Sequence, residues 1–277
     1  MDTSFDWSPD TSTFVVRMPT TKHESFVEAV STEIVSQLAK AGNQDNDVKV
    51  VTDRIESEGS PLIDLLYYDT ERAKCPKRTP DKSFGPGNQF PLVVIEVAYS
   101  QQQKKLPRIA DEYICGSSGN IKVVLGFDIG YDDQSKKATT SIWRPGTSDD
   151  GDLITEEVRN DDPFRTKEGT LVPGLGFSLR VRDLVLSTQL PDLPSRIHNQ
   201  TVVHVTPEQL ASFLYRVETT YELNKINQGA QEPDRKKRVR EATPEEELSS
   251  RKERKISKQE VAEEESNEAR DPDWSPV

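Results

Sequence analysis

The stretch TPDKSFGPGNQFPLVVIEVAYSQQQKKLPR, residues 79–108, decides how the rest of the chain is read. It sets in order a Pro80-Asp81 corner, an apolar run over 91–97 that contains Glu96, and a lysine pair. The run is hydrophobic enough for a central buried strand, which puts Glu96 in a desolvated place. An unpaired ionised carboxylate there costs on the order of several kcal/mol, so a cation, an arginine or a metal is expected beside it. Carboxylates spaced as Asp81 and Glu96 are can hold a metal ion.

Working outward, the 277 residues have room for one large domain with appendages. A hydrophobic share of 33% against a charged share of 30% means that part of the length is solvated. The polarity is concentrated in 228–277, where apolar periodicity is almost absent, while 14–186 carries repeated strand-like and helix-like runs. The division expected is a flexible N-terminus over 1–11, a folded domain over 12–190, a linker over 191–205, an amphipathic helix over 206–227 and a disordered charged tail over 228–277.

Neither a secretory segment nor an apolar stretch of membrane-spanning length is present, so a soluble intracellular protein without a membrane partner is expected. Cys75 and Cys115 lack a CxxC spacing and read as free thiols. The net charge of -12 argues against a protein that coats DNA, since nonspecific affinity for phosphates comes from cations that displace counterions. It leaves room for a local basic groove.

A short strand is expected over 13–18. A helix follows, with Thr21 and Glu24 at capping-box spacing and Phe26, Val27, Val30, Ile34, Val35 and Leu38 recurring at three and four, ending near Ala41-Gly42. Residues 48–55 and 61–69 read as a hairpin of two strands around the turn 57–60. After the strand at 91–97, Leu106, Ile109, Ala110, Tyr113 and Ile114 share one helical face, with Pro107 in its first turn. Strands are expected at 121–129 and 137–143. Strand, crossover helix and strand make a right-handed βαβ unit with parallel strands. A strand at 153–158 is expected to break at Asp161-Asp162-Pro163, and 177–185 reads as a strand or short helix. From Thr206 a capped helix presents Leu210, Phe213, Leu214, Val217 and Tyr221 on one face, for packing or for a protein partner.

Between residues 72 and 108 there are eight cations, Arg72, Lys74, Lys77, Arg78, Lys82, Lys104, Lys105 and Arg108, against two acids, Asp81 and Glu96, a local excess of +6. Such an island suits a polyanionic substrate handled by a metal, with Lys77, Arg78, Lys82 and Arg108 as candidate nucleic-acid contacts. The plain alternative is a charged loop beside an ordinary strand. In the tail, the clusters around Lys236, Lys237 and Arg238 and around Arg251 and Lys252 have the pattern of a bipartite nuclear import signal read by a carrier, which points to the nucleus, or else to the cytoplasm if the tail is merely solvated. His23, His198 and His204 are scattered and suggest neither a zinc site nor a catalytic triad.

Pro80-Asp81, fourteen intervening residues and Glu96-Val97-Ala98 resemble the PD-(D/E)XK signature of the restriction endonuclease-like superfamily. The segments IEVAYSQ at 95–101, LPRIADEYI at 106–114, GNIKVVLGFDI at 119–129 and SIWRP ending at Pro145 are similar to fungal members related to the Uma-type endonucleases. The resemblance spans 14–186. It implies an α/β, restriction endonuclease-like core with a mixed central sheet flanked by helices, and a Mg2+- or Mn2+-dependent nuclease that hydrolyses phosphodiester bonds of nucleic acid. Asp81 and Glu96 match the metal-binding acids. The family lysine falls at position 98, where this chain has Ala98. Lys104 or Lys105 is then the candidate for that role, Gln101 or Gln103 for positioning water, and Glu28 or Glu33 for the additional helix acid at the metal. The alternative reading is a nuclease fold without cleavage, serving as a binding or scaffold module in the nucleus.

Overall fold

A strand forms where a flexible N-terminus is expected: Ser4–Ser8 (β1) pairs antiparallel with Thr13–Arg17 (β2), and Phe5 stacks on Phe14 with ring centroids 5.0 Å apart. The computed structural model describes residues 4–8, 12–17, 20–69, 72–87, 90–99, 105–130 and 135–230. The helix Thr21–Gln44 (α1) begins one residue earlier than the capping box suggests, because Thr20 Oγ1 accepts the His23 amide at 3.3 Å. It ends at Asp45, which in turn caps Asn46–Thr52 (α2) by accepting the Asp47 amide at 2.9 Å.

This second helix replaces the strand expected at 48–55. The valines there are good strand formers, but Val48 and Val51 stand at helical spacing and are both buried, while Val50 faces solvent. An N-cap and tertiary burial together outweigh a β-propensity that spans only about 1 kcal/mol. The expected hairpin partner is divided as well. After Glu56–Gly59 (β3), the chain forms Ile63–Asp64 (β4), Tyr67–Asp69 (β5), Arg72–Lys74 (β6), Lys77–Arg78 (β7) and Lys82–Gly85 (β8). β4 pairs with β7, and β5 with β6.

The apolar run of the opening stretch is Val93–Tyr99 (β9); the helix Leu106–Gly116 (α3) and the strand Val123–Ile129 (β10) complete the parallel βαβ unit. Ala138–Thr147 (β11) and Leu153–Arg165 (β12) follow as antiparallel neighbours. β12 runs through Asp161-Asp162-Pro163 instead of breaking there. Its register against β11 shifts and Asp161 takes φ 52°, so the extra residue is absorbed as a bulge, and Pro163 is tolerated because β12 is the edge strand. The six-stranded sheet has the order β12-β11-β10-β9-β8-β3, and a four-stranded sheet has the order β2-β1-β7-β4. The molecule is thus α/β, with a central mixed sheet flanked by helices.

Alternation along the strands sorts the two faces. Ile95, Val97, Leu125 and Phe127 face α1, where Phe127 meets Phe26 edge-on at 5.4 Å between centroids. Val94, Ala98, Val124 and Trp143 face α3 with Leu106, Ala110 and Tyr113. Residues 191–205, expected as a linker, contain a further strand, Thr201–Val205 (β14 once Phe177–Arg180 is counted as β13), and the two pair antiparallel. Gln37 of α1 binds this strand as another strand would: its Nε2 donates to the His204 carbonyl at 2.9 Å and its Oε1 accepts the His204 amide at 2.7 Å. Pro207–Ala230 (α4) starts with the expected box, the Gln209 amide donating to Thr206 Oγ1 at 3.3 Å and the Thr206 amide to Gln209 Oε1 at 3.0 Å. Leu210, Phe213 and Leu214 pack it back on the α1 side of the core. Among the described residues no helix is long and apolar enough to cross a membrane. The import-type clusters with Lys236, Lys237, Arg238, Arg251 and Lys252 lie outside the described residues.

Gly126 is where β10 has no room for a side chain, since a Cβ there would stand 2.6 Å from Trp143 Cζ3 and 3.3 Å from Leu106 Cδ1. Gly126→Ala is expected to lower stability by about 1–3 kcal/mol through overpacking, read from urea unfolding of the full chain.

Candidate acidic centre

Glu96 lies in β9, and Asp81 directly precedes the adjoining β8. The Asp81 amide donates to the Ile95 carbonyl at 3.1 Å, continuing the β8–β9 ladder by one residue, and the Asp81 carboxylate turns back so that Oδ2 accepts the Val97 amide at 2.7 Å. That oxygen also lies 3.1 Å from His23 Nε2 in the first turn of α1. Glu96, only 2% exposed, accepts the Tyr113 hydroxyl of α3 on Oε1 at 2.6 Å. Burial by itself lowers the His23 pKa, but the hydrogen bond and charge of Asp81, followed by the charges of Glu96 and Glu24, carry it above the ordinary histidine value. The centre is therefore two carboxylates, an imidazole that both of them favour in its charged form, and a phenol; His23, Glu96 and Tyr113 are buried and Asp81 is half-buried.

His23 and Tyr113 are the members that sequence reasoning missed. His23 shares the buried stripe of α1 with Phe26, Val27, Val30 and Ile34, so the helical period that places those side chains on the sheet places His23 there too. Tyr113 was visible on the apolar face of its helix, but nothing local says that its hydroxyl lies opposite Glu96.

Four of the eight cations of the basic island have acidic partners among the described residues. Arg78 Nη1 lies 3.2 Å from Asp6 Oδ2, and its guanidinium binds Glu112, with Nε donating to Oε2 at 2.7 Å. Arg108 Nε donates to the other oxygen of Glu112 at 3.1 Å, Lys77 pairs with Asp64 at 3.0 Å and Lys82 with Glu28 at 3.0 Å. Arg78 is buried and so is not a nucleic-acid contact. The local excess of +6 counted only residues close in sequence, whereas the fold brings in Asp6, Glu28, Asp64 and Glu112 from elsewhere.

Glu28 points its carboxylate at Lys82 and is 66% exposed, and Glu33 accepts the Gln37 and Gln209 side-chain amides at 2.7 Å and 3.0 Å. Glu33 is thus a brace between α1 and α4. Among the described residues no group of three or more His, Cys, Asp or Glu side chains is placed to hold a metal. Ala98 is buried in the apolar layer under α3, Lys105 is exposed just before that helix, and Gln101, Gln103 and Lys104 lie outside the described residues. Cys75 and Cys115 are free, as expected.

A further acid had no place in the sequence reading. Asp128 of β10 is 7% exposed, and its Oδ1 has no hydrogen-bond partner among the described residues. Burial first, and then the charge of Asp161, push its pKa up to about 6 against an opposing pull from Lys137. A carboxyl raised on folding contributes stability that is fully present below its unfolded value near 3.8 and is lost as pH rises through about 6. Asp128→Asn removes that loss, so the variant is expected to match the wild type at pH 4 and to exceed it by about 1–3 kcal/mol at pH 8 in urea unfolding.

The buried and exposed ion pairs separate in the same assay. Arg78→Met, which takes the buried guanidinium from Asp6 and Glu112, is expected to cost about 3–5 kcal/mol, while Lys77→Ala at the surface costs less than about 1 kcal/mol.

Comparison of the chain with family models, with curated proteins and with solved structures returns no match.

Proposed function

We propose that this chain is a nuclease of the PD-(D/E)XK kind, hydrolysing phosphodiester bonds of nucleic acid with Mg2+ or Mn2+. The observation that supports it is the placement of Asp81 directly before β8 and of Glu96 on the adjoining β9, with Asp81 Oδ2 accepting the amide that directly follows Glu96 at 2.7 Å. A pair of carboxylates suits a cation that keeps several waters and takes phosphate oxygens, as Mg2+ does. Asp81 and Glu96 would hold it. When bound, the ion supplies Lewis-acid polarisation of the phosphate and a water of lowered pKa.

The protein's own groups have separable tasks. Tyr113 holds Glu96 in one orientation, and the Val97 amide does the same for Asp81. His23 stands beside Asp81, and its imidazolium is the group assigned here to offset negative charge developing on the phosphate. The import-type basic clusters of the tail suit a nuclear place of action.

A second reading, a nuclease fold that binds without cutting, is favoured by Ala98 and by the ion pairing of Lys77, Arg78, Lys82 and Arg108. Fluorophore-quencher DNA duplexes and RNA strands incubated with the full chain decide between them. Cleavage is expected with Mg2+ or Mn2+, is abolished by EDTA, and falls by at least about 100-fold in Asp81→Asn and in Glu96→Gln. Binding of either strand with no cleavage under any metal condition selects the second reading.

A further inference from the structure

Glu96 lies within a polar patch larger than the two acids. On the face toward α3 the paired strands present successive rows: Val94, Val124 and Trp143; then Glu96, Gly126 and Ser141; then Ala98, Asp128 and Thr139. The third row stands at the carboxyl ends of the parallel pair β9–β10, the side on which open α/β sheets receive ligands. Asp128 is thus the direct neighbour of Ala98, on the face shared with Glu96. Its Oδ1 is buried and has no partner among the described residues, a costly state for a carboxylate unless another molecule supplies the hydrogen bond.

The edge strand is shaped around this position. The bulge in β12 is pinned by the Asp161 amide donating to Ser141 Oγ at 2.9 Å, and it brings the Asp161 charge to bear on Asp128. Lys137, just before β11, lies 3.3 Å from Asp161 Oδ2 and opposes that charge. From β9 the register partner is Ala98, with Glu96 one row away opposite Gly126; from β11 it is Thr139, and from α3 the apolar Leu106 stands over Gly126. Bulges of this kind re-aim side chains beside active sites.

We infer that Asp128 is the proton acceptor of the reaction: it takes a proton from the attacking water, supplying from the neighbouring strand the group that Ala98 lacks. This rests on the nuclease reading above. In the step, the water oxygen forms a bond to phosphorus and its proton passes to the Asp128 carboxylate. The bond to the leaving ester oxygen breaks with its electron pair staying on that oxygen, which takes a proton from solvent. The products are a phosphomonoester and an alcohol, with no change of oxidation state.

The test uses the full chain, the quenched DNA and RNA oligonucleotides and Mn2+, from pH 5 to 9. General-base catalysis contributes about 10²–10⁴-fold. Asp128→Asn is therefore expected to lower kcat by at least about 100-fold with KM within about twofold, and to remove the acid limb of the kcat profile near pH 6. Asp128→Glu, which keeps a carboxylate, is expected to retain that limb. Far-UV circular dichroism and urea unfolding of the Asn variant exclude misfolding as the cause. If the wild type cuts, Asp81→Asn does not and Asp128→Asn cuts as well as the wild type or changes only KM, the assignment of Asp128 fails while the nuclease reading stands. A wild type that cuts neither strand overturns both.

Discussion

Everything around the centre follows from one constraint: a glutamate carboxylate placed in the middle of an apolar strand, with almost no access to water. Glu96 stays there only if hydrogen bonds reach it from layers outside its own strand. The parallel pairing of β9 and β10 requires a crossover, and the crossover is α3, which carries Tyr113 to Glu96. On the other face α1 must cover Ile95 and Val97, and the helical stripe that does so carries His23 to Asp81. The polar centre is therefore made by the same packing that makes the two apolar layers.

Charge is distributed by the same logic. Arg78, buried between the four-stranded sheet and α3, is tolerable only because Asp6 and Glu112 both meet it, so the N-terminal strand is tied to the core by an ion pair as well as by its ladder. Glu112 is shared with Arg108, one helical turn earlier. One member of the basic cluster, Arg78, thus becomes an internal joint, while Lys77, Lys82 and Arg108 pair with acids nearer the surface. Among the described residues the carboxylates of the centre meet groups of another kind, an imidazole, a phenol and a backbone amide.

Much of the fold was legible in local patterns. The α1 stripe, the βαβ unit, the capping box of α4 and the hairpin of β10 and β11 each rest on periodicity or on a cap within one segment. What failed depended on distant contacts. Val48 and Val51 follow a helix because α1 and its Asp45 cap fix the local axis, and residues 201–205 form a strand because β13 and the Gln37 amide offer them partners. Of the candidate site, the two acids could be read from the Pro-Asp corner and the lone glutamate. The cations around them were read without their acidic partners, since a count along the chain cannot see Asp6 or Glu112.

Asp128 marks the boundary of what such reading can reach. It is a lone acid in an apolar run, VVLGFDI, in the way that Glu96 is in PLVVIEV, and that similarity is visible in the sequence. Its meaning depends on register. With Ala98 opposite Asp128 and Glu96 opposite Gly126, both acids lie under α3; a slip of one residue between β9 and β10 would turn Asp128 toward Phe26 and α1, where it would be only an unfavourable buried charge. Gly126 is what stabilises this register on the α3 face, because its missing side chain is the space that Trp143 and Leu106 fill. Packing of two apolar side chains against one glycine therefore decides whether the two acids share a face, and with it the chemistry the sheet can perform.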